Sequence, residues 1–248
     1  MLRRLAATRY VSPLREGGSL PGIVEADDLG TYVMKFRGAG QGLPALVAEV
    51  IVGELGRHLG IRIPDLAAID LAADIGRFEA DQEVQDLLTA SVGLNLGIDF
   101  LPGSFGYDGY RHRLERSEAA RVLWLDAFTA NIDRTWRNPN LLLWGRQVWC
   151  IDHGAALYFH HAWERSTPER FAAQPYDTKE HILGWAATHA GEADAQLAPM
   201  ATRLVIDAAV GAVPDEWLAP DPAAARVRYR EHLLARLAPP RPWLPVAP

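Results

Sequence analysis

Apolar positions along the chain recur at two spacings, and the change from one to the other divides it. Thr31-Tyr32-Val33-Met34-Lys35-Phe36 alternates as a β-strand does. Turn signals and short extended segments alternate through residues 10–37, which places the loop Gly17-Gly18-Ser19-Leu20-Pro21-Gly22 between strands. After Gly38-Ala39-Gly40-Gln41-Gly42, a helical pattern runs from Pro44 to about Leu59, carried by Leu46, Val50 and Gly53 and stopped by Gly60. Ile61 to Leu71 returns to extended structure, and Val92 to Leu101 reads as a further strand closed by Pro102-Gly103. Gly103 to Arg113 is an irregular crossing.

Ser117-Glu118-Ala119-Ala120 opens a helix in which Val122, Leu123, Leu125, Ala127 and Phe128 predict nearly complete burial. Two short runs, Leu141 to Trp144 and Gln147 to Asp152, meet across Gly145-Arg146 as a hairpin. Pro168 to Leu237 is mostly helical, and the proline-dense end from Pro239 to Pro248 reads as extended. The pattern therefore predicts an α+β protein: a strand-rich lobe with one helix over residues 1–101, then a helical lobe over residues 102–248 that carries the hairpin.

Composition narrows the function. The 248 residues are 49% hydrophobic and 23% charged, which suits a folded globular chain and excludes disorder. A net charge of −6 repels nucleic acid and anionic membrane, so no direct contact with either is expected. The most apolar stretch, Leu43 to Leu55, contains Glu49 and Glu54 and is too short to span a bilayer. The basic start, Met1 to Arg9, leads into no apolar signal region. One cysteine, Cys150, forms neither an internal disulfide nor a cysteine-built zinc site; the expectation is a cytoplasmic protein.

The chemistry concentrates in Asn131-Ile132-Asp133-Arg134-Thr135-Trp136-Arg137-Asn138-Pro139-Asn140 and in Ile151-Asp152-His153-Gly154 after the hairpin. Asp133 precedes Asn138 by five residues, and Asp152 lies fourteen beyond Asn138. Phosphoryl transfer needs such a set: one carboxylate to take the acceptor's proton, and an amide and a second carboxylate as hard oxygen ligands for magnesium on a nucleotide. Upstream, Lys35 ends a strand where a phosphate-pairing lysine belongs, Glu49 sits on the next helix as its ion-pair partner, and Gly17-Gly18-Ser19 occupies the place of a phosphate-covering loop.

On these residues the chain resembles the HipA-like kinases, relatives of protein kinases whose catalytic loop is closer to the phosphoinositide-kinase type; Asp133-Arg134 with Asn138, Ile151-Asp152-His153-Gly154, and Lys35 with Glu49 carry the likeness over about Gly17 to Ala155. The run from Asn131 to Leu142 is similar to the smaller single-chain subgroup. The resemblance implies a two-lobed protein-kinase-like fold and ATP and Mg²⁺ as cofactors. It implies Asp133 as catalytic base, Asn138 and Asp152 as metal ligands, and Lys35 as phosphate anchor oriented by Glu49. It also implies a protein Ser/Thr acceptor and a toxin role countered by an antitoxin or other regulatory protein, as in studied members.

The match departs from the protein-kinase pattern in places. Asn131-Ile132 stands where His-Arg precedes the aspartate, the glycine loop is incomplete, and no Ala-Pro-Glu follows Asp152. Three alternatives stay open: a small-molecule or lipid kinase, a nucleotide-binding pseudokinase that regulates a partner, and a magnesium phosphohydrolase built on Asp133 and Asp152, which gives Lys35 and Glu49 no role. Ser19 is an autophosphorylation candidate or a turn former, and His153 is a packing or inter-lobe hydrogen-bonding residue. Trp136 either stacks on a substrate or packs on the core, and the plain alternative for Asp133-Arg134 taken singly is a helix C-terminal turn with a surface ion pair.

Overall fold

The computed structural model describes residues 1–15, 20–40, 42–77, 79–109 and 114–246. Five strands close into a small barrel: β1 (Arg3–Pro13), β2 (Gly22–Ala26), β3 (Thr31–Lys35), β4 (Leu66–Leu71) and β5 (Gly93–Asp99), in the order β1-β2-β3-β5-β4. Parallel pairing of Arg3–Ala6 with Ala67–Asp70 closes it, and every other pair is antiparallel. The sequence pattern missed β1, because its residues are largely exposed and carry no apolar alternation; the strand is bulged between Ala7 and Arg9 and again between Tyr10 and Ser12.

The strands alternate two buried faces, as the two-residue period demands. Val24, Met34, Ala67 and Ile69 fill the barrel interior, while Leu66, Ala68, Leu96 and Ile98 point outward into the main core. Helix α1 (Leu43–His58) covers that outer face and is apolar on nearly all sides, from Leu46 to Gly56. A helix of that kind belongs inside a protein. A side chain at Gly56 would collide with Ile63 and stand 2.9 Å from Leu125, so the glycine lets α1 approach both neighbours. A second helix, α2 (Gln82–Ala90), corrects the expectation of a single helix in this lobe; only its Val84 and Leu88 are buried, so its sequence reads as a polar loop.

The second half is built around α3 (Arg116–Thr129), buried from Ala119 to Thr129. Strand β6 (Phe105–Gly106) adds to the hairpin of β7 (Leu141–Trp144) and β8 (Gln147–Cys150). Of helices α4 (Pro168–Ala173), α5 (Ala190–Leu197), α6 (Arg203–Gly211) and α7 (Pro222–Leu237), α5 and α7 pack on α3, α4 packs on α7, and α6 packs on α7 and reaches back to α1. No helix among the described residues is long and apolar enough to cross a membrane.

Beyond α7 the chain turns inward instead of trailing as an extended end. Trp243 is fully buried, edge-on to Trp124 at 5.5 Å, and its Nε1 donates to the Arg236 carbonyl at 2.6 Å. The indole thereby anchors the proline-rich segment to α3 and α7. Trp243→Ala is therefore expected to cost about 3–5 kcal/mol of unfolding free energy by urea titration; a loss below about 1 kcal/mol would show that the segment contributes little.

Candidate active site

The meeting of barrel and helices brings Lys35, Glu49, Asp133 and Asp152 to one cavity of about 270 Å³. Lys35 is the last residue of β3, and its ammonium donates to Glu49 Oε1 and, at 2.7 Å, to Asp152 Oδ1. Glu49 lies on the buried face of α1, and its Oε1 also accepts the Gly154 N–H at 2.9 Å. One carboxylate thus joins α1, β3 and the segment that follows β8. Gly40 and Gly42 line the same cavity, in the glycine-rich stretch that leads from Lys35 into α1. Sequence reading treated that stretch only as a separator; its alternating glycines directly after the strand lysine were the available signal. Gly17, Gly18 and Ser19 lie outside the described residues.

Asp133 and Asn138 sit in the loop between α3 and β7, where Asn138 Nδ2 donates to Asp133 Oδ2 at 2.8 Å. Asn140, which sequence reading did not select, donates to the same oxygen at 3.3 Å. Among the described residues Asp133 Oδ1 has no hydrogen-bond partner, so that oxygen keeps its lone pairs for an incoming hydroxyl. Asn138 is exposed and does not line the cavity; it reaches the site through Asp133. The neighbours of Asp133, Ile132 and Thr135, line a second cavity of about 310 Å³ with Tyr176 and Glu180. The catalytic-loop candidate is therefore a wall between two cavities.

Arg134 is buried, which excludes a surface ion pair for this segment. Its Nε donates to Asp126 Oδ2 at 2.6 Å, and Nη2 donates to Asp126 Oδ1 at 3.3 Å and to His153 Nδ1 at 3.2 Å. Nη1 donates to the carbonyls of Asn140 and, at 3.2 Å, Ile151. All five guanidinium N–H groups are spent, as a buried arginine requires. Asp126, on α3, was not selected from sequence because it reads as one polar residue in an apolar helix.

The family model of the HipA-like kinases matches residues 8–243. The chain belongs to the HipA-like kinase family. No curated protein matches it in sequence. Its fold is similar to the crystal structure of the Helicobacter pylori proinflammatory kinase CtkA, with a TM-score of 0.60 and 12% identity over 92% of each chain. The Golgi casein kinase matches at TM-scores of 0.42 with Mn/ADP bound and 0.45 in a second structure, at 11% and 12% identity; 95% of this chain and 72% and 73% of those chains are covered. The expected family and two-lobed α+β kinase fold are borne out, and the family is one of kinase-type phosphotransferases.

Electrostatics in this HipA-like kinase separate the two cavity aspartates. Burial raises the Asp133 pKa and the nearby charge of Asp152 adds to the effect, which suits a group that takes up a proton. For Asp152 burial also works upward, yet the Lys35 ammonium outweighs it and holds the carboxyl below its ordinary value. Burial would depress Lys35, but Glu49 and Asp152 keep it above the usual lysine range. Among the described residues no cluster of three or more His, Cys, Asp or Glu side chains has metal-ligand placement. Asp152 offers a hard carboxylate oxygen of the kind magnesium takes inside the cavity, while Asn138, outside the cavity lining, carries an amide oxygen beside Asp133.

His153 is buried, and burial followed by the charge of Arg134 pushes its pKa down to about 3. Its Nδ1 accepts from Arg134, so the proton resides on Nε2. Trp136 is exposed, with the Arg137 guanidinium 3.9 Å above its ring and its Nε1 donating to Glu180; neither ring face is in the core.

Two predictions follow from these buried groups. His153, and His160 on the aromatic cluster under α7, are neutral in the fold with pKa values near 3, whereas the unfolded chain protonates histidine near 6.5. Unfolding free energy should therefore hold above pH 6.5 and fall below it, by about 1.4 kcal/mol per pH unit for each histidine, in urea titrations at pH 7 and 5. Equal stability at both values would contradict neutral burial. Arg134→Met strands Asp126 without its charge partner, and a loss of about 3–5 kcal/mol is expected in the same assay; a change within experimental error would refute the dependence on this pair.

Proposed function

We propose that this HipA-like kinase is an ATP- and Mg²⁺-dependent protein kinase that phosphorylates serine or threonine. The observation that carries the reading is the convergence of Lys35, Glu49, Asp133 and Asp152 on one cavity, with the Lys35 ammonium paired to both Glu49 and Asp152. Lys35 would pair with nucleotide phosphate, held in place by Glu49; Asp152 and Asn138 would hold magnesium, which shields the charge that develops on the phosphates.

Asp133 orients the acceptor hydroxyl with the free Oδ1 while Asn138 and Asn140 fix Oδ2. As the hydroxyl oxygen bonds to the γ-phosphorus and the bond to the ADP oxygen breaks, the proton passes to that carboxylate. A protein acceptor is favoured over a small polar one by the surface beside Asp133: Ile132 and Trp136 are 63% and 57% exposed. Apolar side chains exposed next to a reactive group suit contact with another chain. An antitoxin or other regulatory partner belongs to the same reading as a family expectation.

Calorimetry with ATP, with and without Mg²⁺, and transfer from γ-labelled ATP to casein, histone and cell-extract proteins test it. Wild type should bind ATP in a magnesium-dependent way and label serine or threonine. Asp133→Asn should keep binding and lose transfer by about 10²- to 10⁴-fold, and Asp152→Asn should lose the magnesium dependence of binding. Label confined to sugars, inositol or lipids would move the assignment to a small-molecule or lipid kinase. Binding without any transfer would make the chain a pseudokinase.

A further inference from the structure

A segment distant in sequence lies against the back of the catalytic loop. Trp136 N–H donates to the Glu180 carbonyl at 3.1 Å, and Ile182 N–H donates to the Arg134 carbonyl at 3.2 Å, so Thr135 and His181 pair as in an antiparallel sheet. Residues 180–182 thus run as a two-bond ladder along residues 134–136. The contact does not stop at the backbone. Tyr176 donates its hydroxyl to the Asn131 carbonyl at 2.6 Å, at the start of the same loop.

His181 adds the contact that reaches furthest in. Leu183 N–H donates to its Nδ1 at 3.0 Å, so Nδ1 is unprotonated and Nε2 carries the hydrogen, which it donates to Asp126 Oδ2 at 3.0 Å. Among the described residues Asp126 accepts from three side chains, since Asn131 Nδ2 binds its Oδ1 at 2.9 Å and Arg134 spans both oxygens. Asn131 Oδ1 in turn accepts the Asp133 N–H at 3.2 Å. The carboxylate of Asp126 is thereby aimed by His181, and through Asn131 and Arg134 it sets the backbone on both sides of Asp133.

We infer that His181 is a positioning residue for Asp133, with Tyr176 as its auxiliary, and that the segment 176–182 is a brace whose function is to hold the proton-accepting carboxylate in register. The inference rests on the phosphotransferase reading given above and adds to it residues that do not line the Lys35 cavity. His181 touches the loop only through Asp126 and the backbone ladder, so its loss should displace the base without altering the cavity that receives ATP. A misplacement of about 1 Å at a reacting group costs about 100-fold in rate.

Steady-state transfer and nucleotide calorimetry on His181→Ala, His181→Gln and Tyr176→Phe, with amide hydrogen exchange on each, test the assignment. His181→Ala should lower kcat by about 10- to 100-fold with KM for ATP and the ATP Kd held within about twofold. His181→Gln, whose Nε2 keeps a donor toward Asp126, should recover most of that loss, and Tyr176→Phe should show a smaller fall in kcat of the same kind. Exchange over residues 131–140 should quicken in His181→Ala while α6 and α7 stay as protected as in wild type. Unchanged kcat and unchanged loop exchange would overturn the inference; so would kcat, ATP binding and protection of α6 and α7 all falling together, which marks a residue that only supports the fold. Should wild type bind ATP and transfer nothing, the phosphotransferase reading fails alone, and loop exchange still decides whether His181 braces residues 131–140.

Discussion

A guanidinium cannot be stripped of water unless every one of its N–H groups finds an acceptor, and Arg134 meets that demand inside this protein. The acceptors come from α3, from the residue before β7 and from the residues on either side of Asp152. Satisfying one charge therefore fixes the mutual positions of three chain segments. Asp133 precedes Arg134, and Asp152 lies between Ile151 and His153, so both carboxylates inherit their places from a residue that does no chemistry.

Part of the backbone's left-handed geometry lies at the same network. Ala130, Asn140 and Asp152 all take the left-handed region, with φ of 54°, 49° and 56°. Asparagine and aspartate tolerate this locally, but alanine holds it only where the surroundings leave no alternative. Each lies at an end of the segments that Arg134 and Asp126 tie together. Left-handed backbone thus marks both the loop that carries Asp133 and Asn138 and the segment after β8 that carries Asp152.

A second constraint crosses from barrel to helices. Glu49 on α1 accepts from both Lys35 and Gly154, and Lys35 also binds Asp152, so the site closes only when β3, α1 and the segment after β8 are correctly docked. The apolar girth of α1 makes that docking stiff, since it packs on the barrel on one side and on α3 and α6 on the other. The brace at residues 176–182 completes the loop's surroundings from the opposite face.

Much of this was legible from residue pattern. Strand β3, helices α1 and α3 and the β7–β8 hairpin announce themselves through period and turn chemistry, because each buries a face whose spacing is imposed by its own backbone geometry. Lys35, Glu49, Asp133 and Asp152 were selected by spacing and residue type, and the structure gathers them around one cavity. Strand β1 and helix α2 escaped, since a strand of largely exposed residues and a short helix with two buried ones leave no apolar rhythm. The inward turn at Trp243 escaped for another reason: a tail of prolines carries no local sign that an indole in it will meet Trp124. The chain by itself thus determined local elements and the inventory of reactive groups, both of which follow from near-neighbour spacing. Only the tertiary structure decided that Arg134 is interior, that Asp126 and His181 meet across 55 residues of sequence, and that Gly40 and Gly42 line the Lys35 cavity, because burial and long-range hydrogen bonding depend on which surfaces meet once every element has packed.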